Sequence, residues 1–320
     1  MKTRFLVLIC LSLALVAMAQ RRPPSFGGNR GSGQFPQGSY SNQSWSNQVS
    51  LKISGNYRYI QANGIPAHKT GQFPNRNNPN SVRPQNDYFR LTLKPQIAPQ
   101  PTAVGLGPFG IAINGVKLEP NAAEFWQRNF NSGWQYEPKG GRINLGLDEH
   151  NAHVQPSGAY HYHALPTGLF QRLYRKDSMI LVGYGADGFP VYARFGLRDA
   201  KNAKSGVTIM RSSYRLKQGT RPSGPGGRYD GTFVQDYEYV KGHGDLDECN
   251  GRWGVTPEYP GGIYHYFITD QWPYLPRHFR GTPDQSFLRR GGPGGGGPGG
   301  RRGPPGGGRR GPPGRGPRGF

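Results

Sequence analysis

Cysteine is almost absent from this 320-residue chain, which has only Cys10 and Cys249. A disulfide framework is thereby excluded, and burial and hydrogen bonding must hold the fold. Beyond the first twenty residues there is no apolar run of the ~20 residues that a membrane helix needs, so no transmembrane segment is expected there. Acid is scarce as well: 18 Asp/Glu stand against 40 Lys/Arg, a formal net charge of +22. All 18 acids fall between Val49 and Leu288, where they meet 27 Lys/Arg for a net +9, and the flanks carry none. The Gly-x-Ser-x-Gly elbow and the His-Glu-x-x-His helix are missing too, and the glycines of Gly185-Ala186-Asp187-Gly188-Phe189-Pro190 match neither nucleotide-binding pattern. The commonest serine-hydrolase, zinc-protease and nucleotide-binding signatures are therefore lacking.

What is present begins with a secretory signal. Lys2 and Arg4 precede an apolar stretch from Phe5 to Val16, and Ala17-Met18-Ala19 offers a small-x-small cleavage site before Gln20. Such a pattern predicts a signal peptide over residues 1–19 and a secreted, extracellular protein. Its removal leaves a net charge of +20 and Cys249 as the one thiol, which must be buried, metal-bound or paired with another chain as a covalent dimer. Strong basicity ordinarily points to nucleic acid. A secreted chain turns the expectation away from nucleic acid, toward an acidic polysaccharide or an acidic matrix protein.

Composition divides the remainder. Residues 20–48 are rich in Gly, Ser, Gln and Asn and read as a disordered linker, with an N-glycosylation sequon at Asn42-Gln43-Ser44. Residues 287–320 read as a disordered basic tail; the last thirty hold 16 Gly, 7 Pro and 6 Arg with no strict Gly-X-Y period. Between them, residues 49–286 can bury a substantial core. Tyr88 to Lys94 alternates as a strand, Met179 to Tyr184 is a continuous apolar run, and Phe109 to Leu118 reads as a hairpin turning on Asn114-Gly115 in a type I′ geometry. Short helices are expected over Asn121–Asn129, capped by Asn121 and Glu124, and over Leu169–Lys176. The predicted fold is mainly β: a mostly antiparallel, two-sheet or sandwich-like core with short helices.

The chemistry gathers around Tyr160-His161-Tyr162-His163. Alternation of period two puts the tyrosines on one face of a strand, toward the core, and the histidines together on the other. The stretch recurs. Leu147-Asp148-Glu149-His150-Asn151 leads through a Pro/Gly turn to Tyr160-His161-Tyr162; Leu246-Asp247-Glu248-Cys249-Asn250 leads through another to Tyr264-His265-Tyr266. His150, His153, His161 and His163 are the candidate metal ligands, with His265 and Cys249 weaker ones, since Phe267 stands where the first copy has His163. The second copy either lends Cys249 and His265 to a shared site or serves structure alone. Several imidazoles suit zinc or copper. The bland alternative is a set of packed histidines, each satisfied by a carbonyl or carboxylate. Asp245-x-Asp247 opens like a calcium loop, so a structural calcium site is a further expectation, although the rest of the EF-hand spacing does not follow. Asp187 caps its own turn or reaches the histidines.

Three stretches in order, Pro156 to Pro166, Gly185 to Tyr192 and Gly244 to Phe267, resemble the YHYH-domain proteins, and the resemblance spans roughly residues 50–285. It implies an extracellular or periplasmic setting and no particular activity. Members of that family often carry Cys in the first acidic motif, where this chain has His150, so the resemblance implies no thiolate or disulfide there.

Together these readings predict a secreted metal-binding or extracellular-matrix protein whose basic tail attaches to an acidic matrix, such as that of a mineralised tissue. A non-enzymatic role is favoured. The alternative is a metal-dependent hydrolase using the histidine cluster with Glu149 as base.

Overall fold

The computed structural model describes residues 45–140 and 142–288. The predicted signal peptide, the sequon, nearly all of the linker, and the tail from residue 289 lie outside the described residues. Among the described residues no helix is long and apolar enough to cross a membrane.

Seventeen strands are described. The first eight are β1 (Val49–Ser54), β2 (Tyr57–Ala62), β3 (Asp87–Thr92), β4 (Thr102–Ala103), β5 (Gly110–Ala112), β6 (Lys117–Leu118), β7 (Ala152–Val154) and β8 (Tyr160–Tyr162). Next come β9 (Ile180–Gly185), β10 (Pro190–Ala193), β11 (Phe195–Leu197), β12 (Val207–Ile209), β13 (Tyr214–Leu216) and β14 (Tyr237–Tyr239). The last are β15 (Gly251–Gly254), β16 (Ile263–Ile268) and β17 (His278–Phe279). An eight-stranded sheet of order β15-β16-β10-β9-β5-β6-β8-β7 forms the body of the domain, beside a three-stranded sheet β1-β2-β3 and three two-stranded pairs. Pairing is mostly antiparallel. Two joins of the large sheet, β6–β8 and β10–β16, are parallel.

The large sheet is buried on both faces. On one side Tyr160, Tyr162, Tyr264 and Tyr266 share a core with Phe109, Ile111, Val182 and Val191. The three-stranded sheet contributes Ile60, Phe89 and Leu91 to that same core. Arg58 bridges the two sheets, its guanidinium carbon 3.7 Å from the centre of the Tyr184 ring. The one α-helix among the described residues, α1 (Thr167–Leu173), adds Leu169 and Phe170. A smaller cluster of Met179, Tyr192, Leu197, Met210, Leu246 and Phe267 covers part of the other side. Phe287, counted with the tail by composition, stacks on Phe89 at 4.3 Å and belongs to the core.

Two local expectations need correction. The hairpin between β5 and β6 is not type I′. The Gly115 N–H donates to the Ala112 carbonyl (2.8 Å) and the Ala112 N–H to the Val116 carbonyl (2.9 Å). Only Gly115 takes a positive φ, of 80°, which is the three-residue loop that ends on a left-handed glycine. Asn114 is held outside that region with its side chain buried. The segment Asn121–Asn129 is likewise not an α-helix. It makes only a short 3-10 turn at Trp126–Arg128, with Gln127 at φ 55°. Asn121 does not cap: its amide donates to the Gly105 carbonyl (2.6 Å) and its oxygen accepts from Arg277.

Candidate metal centre

Strand β8 lies between parallel β6 and antiparallel β7, an interior position that buries both of its faces. Register sets His153 of β7 directly across from His161, and the strand period brings His163 up beside it. The result is a triad, His153–His161–His163, in which one ligand nitrogen from each ring lies within 4.8 Å of the others. Every pair of ring centroids is 4.7 Å apart. The Nε2 atoms of His153 and His163 are 3.0 Å apart. Two nitrogens on one tetrahedral zinc stand roughly 3.3 Å apart, given Zn–N bonds of about 2.05 Å, so a small adjustment would seat an ion.

Two of the three outer nitrogens are anchored, and the third, His163 Nδ1, is buried without a hydrogen-bond partner. His153 Nδ1 faces the Leu145 carbonyl at 2.8 Å, and His161 Nδ1 faces the Ala159 carbonyl at 3.2 Å. A carbonyl accepts only, so Nδ1 of His153 and of His161 carries the proton, and Nε2 is the nitrogen of each ring able to take a metal. Burial, reinforced by the neighbouring His161, lowers His153 to about 4. Burial, then His161 and His153, holds His163 well below the usual histidine range. Both rings are therefore neutral at physiological pH, the form that binds a metal. One buried carboxylate stands by: Glu119 Oε2 is 4.0 Å from His161 Nε2 and also accepts from Gln155 Nε2 at 2.6 Å.

His150 is placed apart from the triad. Its ring packs on His68 at 4.0 Å, and its Nε2 is 3.6 Å from Glu149 Oε1. Glu149, the candidate base, is exposed and turned to His150, whereas Glu119 is the carboxylate beside the triad. His68 in turn packs by the tyrosine face: its Nε2 is 2.6 Å from Tyr162 Oη, which also accepts from Asn114 Nδ2 at 3.0 Å. The acidic residues of the repeated motif hold turns. Asp148 accepts from the N–H groups of Gly71, His150 and Ala152 and from Tyr160 Oη at 2.7 Å. Asp247 accepts from the N–H groups of Cys249 and Gly251 and from Tyr264 Oη at 2.9 Å.

The second copy gathers no comparable ligands among the described residues. Four strands separate β8 from β16 in the sheet, or about 24 Å at ordinary strand spacing, so His265 and Cys249 cannot complete the first site. Cys249 is fully buried in the core, with its thiol pushed well up, chiefly by burial. A covalent dimer through it would require the domain to open. The expected calcium loop does not converge either: Asp245 is taken by Arg211, and Asp247 by its own turn. Asp187 caps its turn through the Phe189 N–H and binds Tyr266 Oη at 2.5 Å.

Glu119 and His68 were invisible as site residues because both arrive by long-range packing. One signal could have found Glu119: Asn114-Gly115-Val116-Lys117-Leu118-Glu119 runs parallel in pattern to Asp187-Gly188-Phe189-Pro190-Val191-Tyr192. Comparison with curated proteins and with solved structures gives no match. The family model described as YHYH protein matches residues 88–281. That span covers both motif copies, the triad and the sheet that carries them, and the chain belongs to the YHYH protein family.

Proposed function

We propose that the domain is a metal-binding module holding one transition-metal ion through Nε2 of His153, His161 and His163, with Glu119 completing or orienting the set. The observation that carries this is the convergence of three buried imidazoles on one point. Packing alone gives the cluster one close contact, Nε2 to Nε2 between His153 and His163, whereas a cation among the rings engages a nitrogen of all three. Zinc and copper both suit imidazole nitrogen, and copper(II) binds the tighter of the two at an open nitrogen site. The ligands are only 1–8 % exposed, which favours an ion kept as part of the fold over one that turns substrate over. The wider setting in this reading is extracellular. The signal sequence exports the chain, and the basic tail attaches the domain to an acidic polysaccharide or acidic matrix protein, such as the organic matrix of a mineralised tissue.

The test is the metal content of the purified protein. One equivalent is expected in the parent and none in His161→Ala with His163→Ala. An unchanged content in the double variant would sink the proposal.

A further inference from the structure

The order of the large sheet is a palindrome of two four-stranded units, β5-β6-β8-β7 and β9-β10-β16-β15, joined where β5 pairs β9. In each unit a hairpin leads to a strand that lies parallel to the Tyr-His-Tyr strand, and the latter pairs antiparallel with the strand after the acidic turn. The correspondence reaches single hydrogen bonds. Gly115 N–H to Ala112 O and Ala112 N–H to Val116 O have as counterparts Gly188 N–H to Gly185 O and Gly185 N–H to Phe189 O. Asn151 and Asn250 both take a positive φ, 59° and 58°. Their backbone carbonyls accept from the N–H of His163 and of Phe267. Across the join, Ile111 pairs Tyr184 while Gly110 pairs Gly185 and Ala112 pairs Gly183, so a twofold axis passes between Ile111 and Tyr184.

This correspondence gives a counterpart to every member of the triad and to Glu119 beside it. His161 corresponds to His265, His163 to Phe267, Glu119 to Tyr192, and His153 to Arg252, which pairs with His265 as His153 pairs with His161. We infer that the second unit carries a copy of the same cation site, in which the guanidinium of Arg252 stands where the first unit holds its ion. This rests on the metal reading of the first unit.

The groups that Arg252 touches are neutral, and the carboxylates of Asp245 and Asp199 act on it only through space. Its guanidinium carbon lies 5.6 Å from the centre of the Phe267 ring, and its Nη2 donates to the Leu197 carbonyl. His265 Nδ1 faces the Ile263 carbonyl at 2.9 Å, as His161 Nδ1 faces Ala159, which leaves a bare lone pair on Nε2. That Nε2 and Arg252 Nε are both buried without a partner. An aromatic face, a carbonyl and an imidazole lone pair are what a guanidinium can use in place of a carboxylate. Changes at few positions thus convert a ligand set into a site with a built-in charge, and one ion per chain is the consequence.

The experiment uses the full chain, stripped with chelator and titrated with zinc alone. The parent should take one equivalent, and Arg252→His with Phe267→His should take two. The converse exchange, His153→Arg with His163→Phe, should take none, and its melting temperature should not move with chelator, whereas that of the parent falls. A folded Arg252→His/Phe267→His protein that still takes one equivalent would overturn the inference, as would a converse variant that cannot fold. A parent that takes no zinc instead removes the metal reading of the first unit, on which this one rests.

Discussion

His153 and His163 meet Nε2 to Nε2 at 3.0 Å, inside the fold and without a carboxylate between them. Their neighbour in sequence, His150, lies with His68 instead. The two placements make opposite predictions. His163→Ala should reduce bound metal from about one equivalent to none, while His150→Ala should leave it unchanged. Glu119→Gln should lower affinity by about 10- to 100-fold, the usual effect of losing a carboxylate that supports the ligands. Metal analysis and competition with a chelator of known affinity read all three.

The β class, the paired motif and the histidine face of β8 were legible in the sequence because each depends on local period. His161 and His163 share a face by alternation alone, and the buried tyrosines follow from the same rule. What was hidden depends on register between distant strands. His153 joins the triad because β7 pairs β8 in one particular register, and Glu119 because β6 lies parallel to β8. His150 looked equivalent to His153 in spacing, yet Asp148 draws the His150 N–H into a tight turn and sends its side chain away. The helix expected at Asn121 failed because Arg277, more than 150 residues later, claims its would-be cap.

Asp148 is the nail of the first motif: its two oxygens accept three backbone N–H groups and the Tyr160 hydroxyl. Each hydrogen bond to a charged group is worth about 1.5–3 kcal/mol, and an unsatisfied buried donor costs more than the mean. Asp148→Ala, which removes all four, should therefore destabilise the domain by well over ~3 kcal/mol, and Tyr160→Phe, which removes one, by only about 1.5 kcal/mol. Urea denaturation of the chelated proteins is the measurement. Equal losses for the two would mean that the backbone donors find other partners.

Tyr162 is fully buried, and its hydroxyl joins Asn114 and His68. Truncation to Ala removes a ring from a packed core and strands two polar groups, so a loss of about 3 kcal/mol or more is expected. An unshifted denaturation midpoint would count against the assigned core face.

His265 gives a pH dependence separable from the metal. Burial lowers it to about 4, against about 6.5 in an unfolded chain. The unfolded state then binds the proton more tightly, so acid favours unfolding. The stability that His265 contributes is complete above the ordinary histidine value, and is lost as pH falls from there through about 4. A shift of this size corresponds to an upper bound on the order of 3 kcal/mol. In chelator, the drop in stability between pH 7.5 and pH 5 should be smaller for His265→Gln than for the parent. Identical slopes would show that His265 does not titrate on unfolding.

The tail prediction rests on sequence, since residues 289–320 lie outside the described residues. Eight arginines and no acid occupy that segment. Each offers a planar fork that fits sulfate or carboxylate through two hydrogen bonds. Single contacts of this kind are weak, but tethering raises the effective concentration of the next, so a row of them retains a chain on a polyanion. Salt should weaken the attachment, because exposed charges more than roughly 8 Å apart interact little at physiological ionic strength. Deleting residues 289–320 should leave folding and metal content intact and move elution from a sulfated polysaccharide column to distinctly lower salt. If both proteins elute together, retention belongs to the domain, whose own excess is +9, and the tail does not anchor it.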